Sequence, residues 1–301
     1  MIVVKKKAEV REYLDSCRAA GRTVGMVGTS GGTHEGHLSL VARARQECDV
    51  VAVFWNGALK LEWAPGAVQN YARDLDREVA QFEAAGVDTL YVPLREDLYD
   101  RTSLTVIEMP TMSAHLTGMP ESGHMHILVT MVATLLNIAG PCTTYFGEKD
   151  WQQLVMFQRM AEDLLLPSRV VGCPTLREPD GVAISSRNSR LTAAQRADAP
   201  RLYQALSAAV EAITAGERDA ATITGQVLDL LRAVSVPDYV VAVDAATLEP
   251  LERLRGEVRL LACATFGSTP LVDNIGVTIA DTPSTQGWPG PHAARTGKEA
   301  L

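Results

Sequence analysis

The chain has 301 residues, of which 47% are hydrophobic and 21% charged, with a formal net charge of −8. That length gives two domains, or one large one, with a sizeable core, and the composition is that of a globular protein. The net acidity argues against a surface that coats nucleic acid and leaves room only for a local basic pocket.

In chain order, Met1 to Lys7 places its lysines after a very short apolar stretch, which is not a signal peptide. Lys6 to Ala20 reads as a helix, Thr23 to Val27 as a strand and Leu38 to Glu47 as a helix. The apolar run Val50 to Trp55 reads as a strand, Tyr71 to Ala85 as a helix and Thr89 to Pro93 as a strand. The stretch Ile127 to Gly140 is interrupted by Thr130, Thr134 and Asn137. It is too short to span a membrane and reads as a buried helix over Ile127 to Ile138. Thr143 to Phe146 and Val170 to Cys173 read as strands around a helix over Trp151 to Leu164. This βα alternation with wholly apolar strands predicts a parallel sheet covered by helices on both faces.

The character changes after Pro174. A long helix over Thr192 to Ala215, N-capped by Thr192, and a second over Thr222 to Ala233 precede strands at Tyr239 to Val243, Val258 to Ala264 and Gly276 to Ile279. The fold class is therefore α/β, a Rossmann-like parallel-sheet domain over residues 1–176 with a smaller α+β domain over 177–281. Residues 282–301 are rich in Pro, Gly, Thr and Ser and predict a disordered tail. Five cysteines without C-x-x-C spacing fit reduced thiols and a cytoplasmic protein better than disulfides or zinc. Cys173, before Pro174 in an apolar stretch, reads as structural rather than nucleophilic.

The chemistry concentrates at Gly28-Thr29-Ser30-Gly31-Gly32-Thr33-His34-Glu35-Gly36-His37. A glycine-rich loop between a strand and a helix start suits a phosphate, because backbone N–H groups there point outward and glycines allow close approach. His34 and His37, one turn apart, are placed to donate hydrogen bonds to a phosphate whose charge is growing. His34-Glu35-Gly36-His37 is one residue too short for the H-E-x-x-H zinc pattern, and no Lys follows the glycines as in a P-loop. A structural turn is the competing reading.

Two further segments carry phosphate-binding side chains. In Gly147-Glu148-Lys149-Asp150, Gly147 permits a tight turn and Lys149 supplies a point charge. Asp150 is placed to hold Lys149, orient a sugar hydroxyl or cap the following helix, and Gln153 lies one turn beyond Lys149. Ser185, Ser186 and Arg187 put two hydroxyls and a guanidinium on one loop near the domain junction. His124 and His126 form an H-x-H pair with no third metal ligand apparent.

Taken in this order, the segments His34-Glu35-Gly36-His37-Leu38-Ser39-Leu40, Tyr145-Phe146-Gly147-Glu148-Lys149-Asp150, Ser185-Ser186-Arg187-Asn188 and Leu271-Val272-Asp273-Asn274-Ile275 resemble the pantothenate synthetase (pantoate–β-alanine ligase) family. That family belongs to the H-x-G-H nucleotidyltransferase superfamily. The resemblance runs from about Val24 to about Ile279 and implies an ATP-dependent, AMP-forming carboxylate–amine ligase. ATP adenylates a small carboxylic acid with loss of pyrophosphate, and a small amine or amino acid then displaces AMP. It implies that His34, His37, Lys149, Ser185, Ser186 and Arg187 are catalytic. It implies that ATP also meets Thr29, Ser30, Gly36, Gly147 and Asp150. Mg²⁺ would be held mainly by the phosphates and water, the second domain would act as a lid, and the protein would be a homodimer with neither nucleic-acid nor membrane partners.

The departures from the family pattern cluster. The usual Pro-Thr-Met-Gly-Ala-Leu is Gly28-Thr29-Ser30-Gly31-Gly32-Thr33, and the usual Phe-Val-Asn-Pro-x-Gln-Phe is Phe54-Trp55-Asn56-Gly57-Ala58-Leu59-Lys60. The usual Arg-Pro-Gly-His-Phe-Arg-Gly is Glu121 to Ile127. Gly28, Ser30, Asn56, Leu59, Lys60 and Gln153 would line the acid pocket, and losing the Gln at Leu59 leaves a substrate hydroxyl unpaired. The altered residues predict an acid other than pantoate. The alternatives are an ordinary pantoate–β-alanine ligase that tolerates the changes, a nucleotidyltransferase that stops at an adenylylated product, and a silent nucleotide-binding relative. The full set of His34, His37, Lys149 and Arg187 argues against the last.

Overall fold

A computed structural model of the chain describes residues 1–56, 75–98, 104–114 and 125–280. In order these form β1 (Ile2–Val4), α1 (Lys7–Ala19), β2 (Val24–Thr29), α2 (Glu35–Glu47), β3 (Val50–Trp55), α3 (Leu75–Ala84), β4 (Thr89–Tyr91), the short α4 (Arg95–Leu98) and α5 (Pro110–Ala114), and α6 (Met125–Ala139). There follow β5 (Cys142–Gly147), α7 (Trp151–Asp163), β6 (Ser168–Cys173), α8 (Ala193–Asp198), α9 (Pro200–Thr214), α10 (Ala220–Arg232), β7 (Val236–Asp244), β8 (Gly256–Phe266) and β9 (Thr269–Ile279).

The first six strands make one sheet in the order β1-β4-β3-β2-β5-β6, paired in parallel throughout. Alternation along β3 shows why the strands are apolar at every position. Val50, Ala52 and Phe54 enter the core beneath α1 and α6, while Val51, Val53 and Trp55 enter the core beneath α2 and α3. A residue on either face is buried, so neither face tolerates charge. The order reverses between β2 and β5, where consecutive connections leave in opposite directions. The crevice at the carboxyl ends of such a pair is where open α/β sheets bind ligands. Here those ends are Thr29 and Gly147.

The second sheet is antiparallel, β7-β8-β9, with α9 and α10 packed on it around Leu206, Ile223, Val227, Leu260 and Phe266. It contacts the first unit through β9 and the turn after β5.

Several sequence expectations shift. The expected helix over Thr192 to Ala215 is two, α8 and α9, divided at Ala199-Pro200. Pro200 has no N–H to continue the ladder and opens α9 instead. Thr192 does cap, accepting from Gln195 N–H. Helix α2 begins three residues earlier than its apolar period, because His34 caps it. The N-terminal Ile2–Val4, read only as a short apolar stretch, pairs with β4 as an edge strand. Strand β9 starts at Thr269, so it contains the Asp273-Asn274 pair. His126 lies in the first turn of α6, and His124 falls outside the described residues. The predicted tail also lies outside them. Among the described residues no helix is long and apolar enough to cross a membrane.

Candidate active site

The loop after β2 turns on Gly31 and Gly32, whose φ of +86° and +68° lie in the left-handed region. A side chain there would cost about 1–2 kcal/mol. Thr29 Oγ1 accepts from Gly31 N–H at 3.2 Å and closes the turn. The chain then enters α2 through a cap made of two imidazoles. His34 is the N-cap, and its Nδ1 accepts from Gly36 N–H at 3.1 Å. His37 Nδ1 accepts from His34 N–H at 3.4 Å. This is the reciprocal arrangement of a capping box with histidines in both roles.

The cap sets the tautomer. A neutral imidazole that accepts at Nδ1 carries its proton on Nε2, so both rings are Nε2–H donors at the positive end of a helix. Their centroids are 4.1 Å apart, tilted by 40°. Burial, and then the charge of Lys149, hold His34 below the usual histidine pKa of 6.5. Gly36 is required for this cap. A Cβ on it would lie 2.8 Å from His34 Cε1 and 2.9 Å from Nδ1. The same Cβ would lie 3.9 Å from the Ile184 carbonyl oxygen, which brings the start of α2 against the Ser185 loop.

Across the switch point, β5 ends at Gly147 and a 3₁₀ turn carries Glu148, Lys149 and Asp150 into α7. Gly147 is extended, with φ −74°, so the tight turn that follows it does not require a glycine. What it contributes is space, since a Cβ at Gly147 would meet nothing within 4 Å, and the same holds at Gly28. Lys149 Nζ lies 3.6 Å from Asp150 Oδ1. The Asp150 side chain makes no capping bond to α7, which removes one of its three expected roles. Gln153 is half-buried in the first turn of α7.

The Lys149 turn is fastened by the second sheet. Asn274 Nδ2 donates to the carbonyls of Glu148 and Lys149 at 2.9 and 2.8 Å. Its Oδ1 accepts from Arg259 Nε at 2.6 Å. The Arg259 guanidinium stacks 3.6 Å over the Trp151 ring and lies 3.3 Å from the Glu148 carboxylate. Next in the strand, buried Asp273 takes a bidentate pair from Arg177 at 2.6 and 2.9 Å. The Asp273-Asn274 motif is thus the bridge between the units.

Ser185 caps a 3₁₀ turn over Ser186–Arg190 and accepts from Arg187 N–H at 3.2 Å. Lys149 and Ser185 line one cavity with Asn188, Tyr203 and Asp273. Arg187 Nη1 donates to the Pro270 carbonyl at 3.4 Å. The structure therefore gathers His34, Gly36, His37, Gly147, Lys149, Asp150 and Ser185 around one crevice.

On the acid side, Asn56 follows β3, with its N–H donating to the Thr29 carbonyl at 2.6 Å. Its side chain is buried, and Oδ1 has no hydrogen-bond partner among the described residues. Ser30 is half-buried on the loop. Leu59 and Lys60 lie outside the described residues. Two of the departures point elsewhere than to an acid. Thr33 Oγ1 and Trp55 Nε1 both donate to Glu78 Oε2, at 2.6 and 2.8 Å, and Gly32 N–H donates to Glu78 Oε1 at 2.9 Å. Glu78, Asn274 and Arg259 were not anticipated as parts of the site. Glu78 lies three residues after Leu75 and four before Phe82, so an acid on the apolar face of α3 was the available signal.

With this geometry in place, the comparisons with known proteins are decisive. A family model described as pantoate-beta-alanine ligase matches residues 2–276. The chain belongs to the pantoate-beta-alanine ligase family. It is 68% identical over 288 residues to pantothenate synthetase 1 of Frankia alni, covering 93% of this chain and 99% of the relative. It is 42% identical to pantothenate synthetase 2 of the same organism, covering 91% and 84%. The crystal structure of pantothenate synthetase from Thermus thermophilus superposes with a TM-score of 0.82 at 38% identity, covering 91% of this chain and 99% of that one. A pantoate-beta-alanine ligase from Francisella tularensis, complexed with beta-gamma ATP and beta-alanine, has a TM-score of 0.72 at 26% identity, covering 91% and 97%. As a member of this family the chain is an AMP-forming ligase that makes a C–N amide bond. The relatives do not support the expectation of a changed acid. The alternative, a family member acting on the usual acid, fits them better.

Proposed function

We propose that the chain condenses pantoate with β-alanine, driven by ATP. The observation that carries this is the histidine cap, two Nε2–H donors at the start of α2, beside Lys149 and across from the Ser185 loop. That donor set matches a phosphate centre gaining negative charge. The names of the relatives and the family model supply the acid and the amine.

In the first step a pantoate carboxylate oxygen attacks the α-phosphorus of ATP, and the bond to the β-phosphate oxygen breaks to release pyrophosphate. His34 and His37 donate to the α-phosphate oxygens, Lys149 and Arg187 offset the charge of the departing pyrophosphate, and the Ser185 and Ser186 hydroxyls donate to it. The open sides at Gly28 and Gly147 leave room for substrate, with Thr29, Ser30, Gly36 and Asp150 around the nucleotide. In the second step the amine nitrogen of β-alanine attacks the acyl carbon. The carbon–oxygen bond to AMP breaks, and the nitrogen loses a proton.

Asn56 Oδ1 supplies a buried acceptor for a pantoate hydroxyl, aided by Gln153. The groups expected around the phosphates are chiefly N–H, O–H and cationic donors. Such a set suits Mg²⁺ carried in by the phosphates with its water. We also assign residues 1–176 as the ATP- and acid-binding unit, residues 177–281 as a lid that keeps water from the mixed anhydride, and a homodimer as the assembly.

Exchange of labelled pyrophosphate into ATP tests the proposal across a panel of small acids. Pantoate is expected to support the fastest exchange, and β-alanine to trigger AMP release. Exchange with another acid and none with pantoate would restore the altered-acid reading.

A further inference from the structure

The proposed chemistry makes no use of Glu78. Its side chain is wholly buried, with no exposed surface. A carboxyl group is rarely placed so unless its oxygens are saturated. Here three donors reach them, one on Oε1 and two on Oε2, and each belongs to the architecture of the catalytic loop. Gly32 N–H is in the loop itself, Thr33 Oγ1 is the residue before the His34 cap, and Trp55 Nε1 is at the end of β3 beside it.

Besides the Thr29 bond to Gly31 N–H and the His34 cap, these three bonds are what hold the middle of the loop. Gly31 and Gly32 both sit at positive φ, so this stretch belongs to no helix or strand. Glycines impose the least conformational restriction of any residue. The Gly31 Cα faces the Trp55 ring, since a Cβ there would lie 3.4 Å from Cζ2 and 3.6 Å from Glu78 Oε1. Helix α3 supplies the rigid end of the arrangement, with Phe82 anchored in the same core as Trp55 and Val53. A glycine hinge two residues before His34 is thus tied down by one carboxyl group on a neighbouring helix.

We propose that Glu78 is a positioning residue, which sets the place of the His34 imidazole by holding Gly32, Thr33 and Trp55 together. This rests on the assignment of His34 to the adenylation step. It also gives Thr33 and Trp55 a joint role that involves no substrate.

Glu78→Gln is the direct test. The amide keeps the shape but has one acceptor oxygen where Glu78 has two. With the oxygen toward Gly32, its NH₂ faces the Trp55 Nε1–H. With the amide flipped, its NH₂ faces the Gly32 N–H. One donor meets a donor either way. A loop displaced by a fraction of an ångström to 1 Å lowers kcat for pantoate-dependent pyrophosphate exchange by about 10- to 100-fold. The wild-type rate is measured alongside, and its absence would count against the ligase reading rather than against Glu78.

A double-mutant cycle supplies the readout that a merely structural role would not move. In a His34→Ala background, Glu78→Gln is expected to cost less than about threefold further, because both act through the same imidazole. A folded Glu78→Gln protein with kcat within about twofold of wild type would overturn the proposal. So would a full, additive loss in the His34→Ala background. If Glu78→Gln does not fold, Thr33→Val removes one donor at nearly constant side-chain volume, and Trp55→Phe removes another at the cost of a smaller ring in the core. Each is expected to lower kcat several-fold non-additively with His34→Ala, and wild-type kcat in both would refute the proposal.

Discussion

Asn274→Asp exchanges an amide for a carboxyl group and should disable the turn that carries Lys149. In the wild type, Asn274 Nδ2 sits 2.9 and 2.8 Å from the carbonyl oxygens of Glu148 and Lys149. The substitution puts an acceptor oxygen where that donor was, facing two acceptors. Two hydrogen bonds worth about 1 kcal/mol each are lost, and leaving buried acceptors facing an anion adds about 1–3 kcal/mol. Arg259, 2.6 Å away on the other oxygen, offsets part of the charge. The net expectation is about 2–4 kcal/mol of stability lost near pH 8. The new carboxyl would be favoured in its protonated form, which can donate to one carbonyl, so its folded pKa is raised. The sign follows: the penalty is small below the unfolded value of about 3.9 and grows as pH rises through the raised folded value. Urea denaturation from about pH 5 to 8, with pyrophosphate exchange at each pH, measures both consequences. Activity is expected to fall by at least about tenfold even in the folded fraction, because Lys149 loses its fixed backbone. A stability change under about 0.5 kcal/mol that is flat with pH would refute this account of the turn.

Gly36→Ala should dislodge the His34 ring, since the new methyl would lie 2.8 Å from Cε1. We expect a fall in adenylation of about 10- to 1,000-fold, roughly the value of losing one transition-state donor, while helix propensity at the site improves; kcat near wild type would show that the ring can shift harmlessly. His34 should titrate below 6.5 in histidine-labelled NMR spectra, because burial and Lys149 disfavour its cation. Its neutral form therefore contributes stability in full above pH 6.5, which is lost as pH falls through the lowered folded value. Lys149→Met is expected to move that midpoint up, and an unchanged midpoint would mean that Lys149 is not near the ring.

The parts of this fold legible in sequence are those set by local period. Strand β3 could be read from Val50 to Trp55 because both its faces are buried, and α6 from the spacing of Val129, Val132 and Leu136. The histidine pair was legible because a glycine loop, a strand and a helix start are adjacent in the chain. What escaped were contacts between distant residues. Nothing near Asn274 announces that its amide reaches the carbonyls of a turn 125 and 126 residues earlier. Glu78 looks like any acid in an amphipathic helix until Thr33 and Trp55 are seen around it. Gly147 misled in the other direction, because a glycine suggests a turn, whereas here its φ is ordinary and its missing Cβ matters instead. The departures at Thr33 and Trp55 lie in the same runs as Gly28, Ser30, Leu59 and Lys60, which read as pocket changes, yet these two turn onto Glu78. Sequence shows that a residue differs, and only its neighbours show what it serves.

The account centres on an acyl-adenylate formed beside the His34–His37 cap, and oxygen tracing tests that most directly. Pantoate labelled with ¹⁸O in both carboxylate oxygens, turned over with ATP and β-alanine, should deliver one ¹⁸O to AMP and retain one in the amide product. Label in inorganic phosphate with ADP as the nucleotide product, or AMP free of label, would contradict it.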